Sequence, residues 1–265
     1  MRFIFCLIPL LGVVSCLRST SKLKDGYDSI YHYVQNVSTF IDNKLQTEAI
    51  TQLEVALRPG AEPNTIVGRL KSVAIPPENI TAEEKQLIAE IESPFRIVFT
   101  SDGQQAQIYT KKGENRYALK TKDSVLKLLL QNVTQIEGYL EREDTKIRDE
   151  TCETVINVQK NENEIVFETE TKILDCTNKT ALSNIISDKS EFKLFYHLDK
   201  ADKHLIKARS VIDLIYLTSV SARVDTIQDL DFIRFDGLKE DIDETVLIEG
   251  HTPEEIDELW KTPAA

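Results

Sequence analysis

The segment TKDSVLKLLLQNV, residues 121–133, is the part of the sequence that best indicates the fold. Its aliphatic residues are spread over most of a helical wheel and leave little polar face: Val125, Leu126, Leu128, Leu129, Leu130 and Val133. A helix that is apolar nearly all round is normally buried. Because the flanking sequence is strand-like, we predict that a sheet wraps around this helix.

The segments on both sides of the helix are rich in β-branched and aromatic residues, and several alternate between apolar and polar positions, as strands do. Before the helix, strands are predicted at residues 30–41, 49–57, 65–75, 95–100 and 104–109. After residue 180, strands are predicted at residues 192–197, 206–217, 222–235 and 245–248. A second helix is predicted to follow Thr81, because Glu84 completes a capping box.

A hairpin with a cysteine at each end is predicted between residues 152 and 176. Two β-prone runs, 154–158 and 165–173, flank a polar tract that suits a turn. Strands that fold back about residue 164 would bring Cys152 opposite Cys176, within reach of a disulfide bond. We therefore predict this disulfide, and two unpaired thiols are the alternative.

The first sixteen residues are predicted to be a secretory signal peptide. Arg2 precedes an apolar run that is too short to span a bilayer, and small residues follow at Ser15 and Cys16. Removing this segment would leave Cys152 and Cys176 in an exported chain, where a disulfide is more common than a metal site. The alternative is a bacterial lipoprotein that is lipidated at Cys16. No later segment is apolar enough to predict a membrane-spanning helix.

Composition limits the possible partners. The formal net charge of −12 argues against nucleic acid or an anionic membrane as the main partner. Four Asn-x-Ser/Thr sequons favour a eukaryotic secretory route. Asn132 lies at the end of the predicted buried helix, so we expect glycosylation instead at Asn36, Asn79 and Asn178.

The sequence contains no recognisable motif for catalysis, a cofactor or a metal. Its four histidines are scattered, and no phosphate loop, nucleophile elbow or zinc-protease helix is present. The acidic stretch at residues 229–244 has Ile233 where a third calcium ligand would be needed, so we interpret it as solvated. We expect no catalytic residue, no cofactor and no bound metal.

A further helix is predicted to begin near the end of the chain. Thr252 can cap it, with Pro253 at the first position and Glu255 at the third. We therefore divide the chain into a signal peptide at residues 1–16, a β region at residues 17–250, and the start of a helical region or a tail at residues 251–265.

In this order, the segments resemble the N-terminal domain of the large lipid transfer proteins. This family includes the vitellogenins, the apolipophorins, apolipoprotein B and the microsomal triglyceride transfer protein. The resemblance covers roughly residues 25–250 and is carried by YHYVQNVSTF (31–40), SPFRIVFTSDG (93–103), KDSVLKLLLQNV (122–133), EREDTKIRDETCETVINV (141–158) and KILDC (172–176). It implies an antiparallel β-barrel wrapped around a central α-helix. It also implies that the cysteine hairpin is disulfide-tied.

The resemblance further implies a secreted, non-enzymatic lipid transport protein of the vitellogenin type. In the family, most of the lipid cavity is built from other domains, and the barrel also docks receptors or partner subunits. A basic cluster could serve as the docking surface here: Lys200, Lys203, His204, Lys207 and Arg209. The alternative for the cluster is a solvated strand face whose lysines discourage edge pairing.

Two alternatives for the function stay open. The chain could be a secreted interaction module without lipid cargo. It could also resemble the triglyceride transfer protein, which would place it in the lumen of the endoplasmic reticulum with a partner subunit.

Overall fold

The computed structural model describes residues 23–72, 81–100, 106–129, 145–148, 153–172, 190–202, 204–217, 221–238, 242–252 and 255–256. Within them the protein is mainly β, with one twelve-stranded antiparallel sheet. The strands are β1 (Tyr27–Ile41), β2 (Lys44–Pro59), β3 (Thr65–Ser72), β4 (Phe95–Phe99), β5 (Ala106–Thr110), β6 (Thr145–Arg148), β7 (Glu153–Lys160), β8 (Glu164–Lys172), β9 (Glu191–Asp199), β10 (Leu205–Leu217), β11 (Ser221–Gly237) and β12 (Glu249–His251). The helices are α1 (Ala82–Ile91), α2 (Arg116–Leu129) and a 3-10 turn (Glu244–Val246).

The described strands form an open sheet. Their order is β12-β5-β4-β3-β2-β1-β11-β10-β9-β8-β7-β6, and β12 and β6 are its two edges. The closed barrel that the resemblance implies is therefore not shown by these strands. Both edge strands are short, with three residues in β12 and four in β6, so each offers few backbone groups for pairing.

The hairpin between β7 and β8 is confirmed, with a small shift of its turn. Lys160 pairs with Ile165, and Thr154 pairs with Thr171. The hairpin therefore folds about residues 162 and 163 rather than about residue 164. Cys152 and Cys176 lie outside the described residues, so their disulfide stays a prediction.

Both predicted helix starts are confirmed. The Thr81 side chain accepts a hydrogen bond from the Glu84 backbone N–H, and the Glu84 carboxylate accepts one from the Thr81 backbone N–H. At the second site, the Glu255 backbone N–H donates to Thr252 Oγ1 at 3.2 Å, and the Thr252 N–H donates to Glu255 Oε2 at 2.8 Å. The continuation at residues 257–265 is not described.

The predicted strand at residues 245–248 is wrong. Asp243 accepts a hydrogen bond from the Thr245 backbone N–H at 3.0 Å and thereby caps a 3-10 turn. The strand β12 begins only at Glu249. The sequence favoured β because Val246 and Ile248 are β-branched, but the local cap on the backbone takes precedence.

The predicted helix is present, and it begins before the quoted segment. Asn115 Oδ1 accepts a hydrogen bond from the Tyr117 N–H at 2.8 Å, so α2 begins at Arg116, five residues before the quoted segment. Leu130 and Val133 lie outside the described residues. The aliphatic residues of α2 are at most 3% exposed: Ala118, Leu119, Val125, Leu126, Leu128 and Leu129. Neither helix in the described part of the chain is long and apolar enough to cross a bilayer.

Two strands that lie far apart in the sheet both contact α2. Lys122 of the helix lies over the ring of Phe95 in β4, and the hydroxyl of Tyr196 in β9 donates to the carbonyl of Leu128 at 2.9 Å. These strands are six positions apart in the sheet, which is about 29 Å if the sheet were flat. Lys122 and Leu128 are only about 9 Å apart along the helix. We refer to the face that packs on α2 as the inner face.

Replacing Gly68 by alanine is expected to destabilise the protein. A Cβ at Gly68 would lie 2.4 Å from Cζ of Phe95 and 2.9 Å from Cδ2 of Leu57, and both of these side chains are fully buried. Overpacking of this kind costs about 1–3 kcal/mol, which equilibrium unfolding in urea would measure. Gly237→Ala is the control, because nothing lies within 4 Å of a Cβ there. Equal midpoints for the two variants would contradict the packing of Phe95 on Gly68.

Candidate functional site

Four adjacent strands of the sheet are longer than all the others. They are β2, β1, β11 and β10, with 16, 15, 17 and 13 residues. Towards the β1–β2 turn, their side chains change from buried to half-exposed or exposed. We refer to this part as the projecting end, and it comprises residues 35–41, 44–51, 210–217 and 221–228.

The turn that ends the β1–β2 hairpin has only two residues. Asp42 and Asn43 have φ values of 50° and 61°, the left-handed conformation that tight hairpin turns require. Such a turn matches the natural twist of the strands, so both strands continue to the tip. This local chemistry extends the sheet well beyond the part that α2 covers.

Apart from Lys44 at the tip, the inner face of the projecting end carries no charged residue. Tyr33 and Leu53 are opposite each other and buried on the inner face, and strand alternation and pairing then assign the rest. Lys44 belongs to this face because it lies opposite Ile41. The uncharged inner residues are Gln35, Val37, Thr39, Ile41, Thr47, Ala49, Thr51, Ser210, Ile212, Leu214, Tyr216, Ala222, Val224, Thr226 and Gln228. Most are half-exposed, so this face is a surface rather than part of the closed core.

The charges of the projecting end lie on the opposite, outer face. Arg223 pairs with Asp225 at 2.7 Å and with Asp213 at 3.1 Å. Glu48 accepts a hydrogen bond from Asn36 at 3.0 Å. The two faces of the same strands therefore present different environments, one ionic and one uncharged except for Lys44.

A polar row separates the inner face of the projecting end from the core around α2. It consists of Gln35, Gln228 and Ser210, which lie directly opposite one another on β1, β11 and β10. Gln228 Nε2 donates to the hydroxyl of Tyr33 at 3.0 Å, one position deeper. Burial raises the pKa of Tyr33 to about 12, although its hydrogen bonds to Gln228 and to Ser124 of α2 lower it in part. The Ser210 side chain is 2% exposed, and its Oγ has no hydrogen-bond partner among the described residues.

A buried ion pair joins α2 to the segment that precedes it, next to the C-terminal end of α1. Lys122 is fully buried and pairs with Glu114, whose side chain is 2% exposed. Its Nζ also donates to Ser93 Oγ at 2.9 Å and to the carbonyl of Glu90 at 3.0 Å. Burial lowers the pKa of Lys122, and the charge of Glu114 opposes that effect. The sequence contained no signal for this arrangement beyond a lysine within an apolar helix.

The described basic residues of the predicted docking cluster already have partners within the protein. Lys207 pairs with Asp231 at 2.9 Å, and Arg209 lies 3.8 Å from Asp229. Lys200 Nζ donates to the carbonyl of Asn161 at 3.1 Å, while Lys203 lies outside the described residues. The positive charges of β10 thus face the acidic residues of β11, and docking of a receptor stays a prediction.

Only one of the predicted glycosylation sites lies in the described part of the chain. Asn36 is half-buried on the outer face of β1, where its side chain is held by Glu48. Asn79 and Asn178 lie outside the described residues, as does Asn132. Glycosylation therefore stays a prediction.

One group of side chains with metal-ligand chemistry comes together in the described ranges. Asp199, Asp202 and His204 lie in the β9–β10 turn, with their ligand atoms within 4.8 Å of one another. His204 Nδ1 is 2.6 Å from Asp202 Oδ1, and Asp199 accepts hydrogen bonds from the backbone of the same turn. These contacts stabilise the turn, so we assign the group a structural role.

Comparison with solved structures identifies lipovitellin as a protein of similar fold. That structure was determined to describe lipid–protein interactions in lipovitellin. It superposes on this chain with a TM-score of 0.57 and 14% sequence identity, over 83% of this chain and 26% of the lipovitellin chain. The chain thus spans about a quarter of the lipovitellin chain. At this identity, the similarity shows a shared fold.

Two further comparisons are too distant to carry an argument. Rv2717c from M. tuberculosis has a TM-score of 0.23 and 7% identity, over 77% of this chain and 91% of that chain. A LolA superfamily protein from Nitrosomonas europaea has a TM-score of 0.21 and 7% identity, over 83% of this chain and 90% of its own. No protein-family profile matches the chain, and no curated protein matches it by sequence.

Removing one partner of the buried ion pair is expected to be strongly destabilising. Lys122→Met leaves the buried carboxylate of Glu114 without its cation, which typically costs about 3–5 kcal/mol of unfolding free energy. The double variant Lys122→Met/Glu114→Leu should regain much of the loss, since neither charge then remains. The measurement is equilibrium unfolding in urea.

The control for this experiment is an exposed ion pair. Arg234→Met removes a pair with Asp236, but the arginine is 46% exposed, so the loss of stability should be much smaller than that of Lys122→Met. Equal effects of Lys122→Met and Arg234→Met would show that the Lys122 pair is not buried as described.

Proposed function

We propose that this chain is the N-terminal domain of an exported, vitellogenin-like lipid carrier, and that it binds lipid without catalysing a reaction. The observation that carries the proposal is the half-exposed inner face of the projecting end, which is uncharged except for Lys44 at its tip. The fold of the chain also supports the proposal, since lipovitellin shares it over 83% of the chain. The resemblance of the chain's segments to the large lipid transfer proteins is further support.

The chemistry of the inner face suits an acyl chain. A lipid tail forms no hydrogen bonds, so it is best bound by a lining that has few polar groups needing partners. Val37, Val224, Ile212 and Leu214 provide apolar contacts, and the threonines between them present methyl groups. With about 3.4 Å per residue, residues 35–41 extend over about 20 Å, a length suited to an extended tail.

The exposure of this face also favours a ligand. Monomeric proteins rarely leave large contiguous apolar patches in water unless another molecule binds there. On the inner face, the side chains of Thr47, Ala49 and Thr51 are exposed, and Ile41 near the tip is 40% exposed. A hydrophobic ligand or a further lipid-binding domain would shield such a surface.

The finer architecture is part of the proposal. We infer that the curved sheet forms an incomplete barrel with α2 at its centre. The helix that begins at Thr252 would then lead into a further helical domain, as in the family that the sequence resembles. Export would follow from the signal peptide at residues 1–16, with the disulfide between Cys152 and Cys176 formed on the way.

Receptor or partner docking is the less supported candidate. Docking is predicted from a cluster of basic residues, and in the structure two of them, Lys207 and Arg209, pair with aspartates of β11. A partner that docks on this surface would have to break those ion pairs or bind with the pairs intact. Lipid binding requires no such rearrangement of the inner face.

The test is lipid binding by the whole chain, expressed with its own signal in eukaryotic cells and purified from the medium. We expect lipid in an organic extract of the protein, identified by mass spectrometry. After delipidation, the protein should bind a pyrene-labelled fatty acyl ester, followed by fluorescence. Failure to find the protein in the medium would contradict export, and failure of the delipidated protein to bind the ester would contradict lipid binding.

Leu214→Lys is expected to weaken binding of the ester at least about ten-fold, because it places a charge among acyl contacts. Ile215→Lys is the matched control, since Ile215 is the next residue of β10, is also half-exposed, and lies on the outer face. Its affinity should stay within about two-fold of the wild type. Unfolding in urea would check that both variants are folded. An equal loss in the two variants would contradict binding on the inner face.

A further inference from the structure

The inner face also indicates which class of lipid it selects. We infer that its ligand is an uncharged lipid with an ester carbonyl or a hydroxyl group, and that this group hydrogen-bonds to Ser210 in the polar row. The acyl part would lie along the projecting end. This inference rests on the proposed function and adds the chemical class of the ligand and the residue that selects it.

Ser210 is the first argument, because it is a buried donor without a partner. Its side chain is 2% exposed, and no described residue hydrogen-bonds its Oγ. Burying a hydroxyl without a hydrogen bond is unfavourable, so such groups in proteins are usually paired. Strand alternation places Ser210 on the inner face, between Gln228 of β11 and Leu194 of β9. A carbonyl or hydroxyl of a ligand on this face would supply the missing partner.

The second argument is the absence of charge around Ser210. Among the described residues, the inner face around the polar row holds no lysine or arginine. Lys44 is on this face but lies opposite Ile41 at the tip, about 20 Å along β1 from the polar row. A phosphate or a carboxylate placed there would lose its hydration and gain no cation in return, which is strongly unfavourable. Beyond the polar row, Asp123 of α2 interacts electrostatically with Tyr33, and its carboxylate is already paired with Lys120 at 3.2 Å. The site therefore discriminates against anionic lipids.

The third argument is the arrangement of polar and apolar groups along the strands. The polar row crosses β1, β11 and β10 at the base of the projecting end, and Val37, Val224 and Leu214 lie beyond it towards the tip. Gln228 already donates one hydrogen bond to Tyr33, which holds its amide in place. A single polar group can thus be bound at the base while the hydrocarbon lies on the apolar part. This arrangement specifies the orientation of the ligand as well as its class.

The test compares three probes with the same pyrene-labelled chain: a triacylglycerol, a phosphatidylglycerol and a hydrocarbon without oxygen. The full delipidated chain is titrated with each. We expect the triacylglycerol to bind at least about ten-fold more tightly than the phosphatidylglycerol. Ser210→Ala should weaken binding of the triacylglycerol about five-fold and leave the hydrocarbon unchanged. The variant should fold normally, because it removes a hydroxyl that has no partner in the described protein.

Ser38→Ala is the matched control, since Ser38 is a half-buried strand serine on the outer face, opposite Asp225. It should change none of the three affinities. Equal affinities for the triacylglycerol and the phosphatidylglycerol would overturn the inference and leave lipid binding intact. A loss of hydrocarbon binding in Ser210→Ala would also overturn it, because the serine would then act only through packing. If no probe binds, the proposed function fails together with the inference.

Discussion

Burial of α2 is the constraint on which the rest of the structure depends. All six aliphatic residues of the helix are buried, together with Lys122, Asp123 and Ser124. The helix contacts two strands that lie far apart in the sheet, through Lys122 over the ring of Phe95 in β4 and through the Tyr196 hydroxyl of β9 on the Leu128 carbonyl. The arrangement of the sheet has to satisfy both contacts. One buried core then includes side chains from nearly all of the described strands.

The candidate site arises from a mismatch in length between this helix and the longest strands. With fourteen residues, α2 is about 21 Å long, whereas β1 with fifteen residues is about 50 Å long. The helix therefore covers only part of the inner face. Where its cover ends, the side chains change from Tyr33 and Leu53 to the polar row and then to the half-exposed residues. The same strands are core at one end and a binding surface at the other.

The sequence predicted the elements well, because their signals are local. The capping boxes at Thr81 and Thr252 and the apolar surface of α2 involve residues within a few positions of one another. The polar row could not be predicted, since Gln35, Gln228 and Ser210 become neighbours only through the pairing of three strands. For the same reason, the sequence alone does not show that Lys207 pairs with an aspartate on the next strand.

The ion pairs of the outer face help to determine which face is uncharged. In a strand, a shift of pairing by one residue moves every side chain to the opposite face. A shift of this kind between β10 and β11 would separate Lys207 from Asp231 and Arg223 from Asp213. Each pair is half-exposed and contributes little to stability alone. Several in succession nevertheless favour one register, and that register assigns Ser210, Leu214 and Val224 to the inner face. The charges predicted for docking thus specify the uncharged surface on the other side of the sheet.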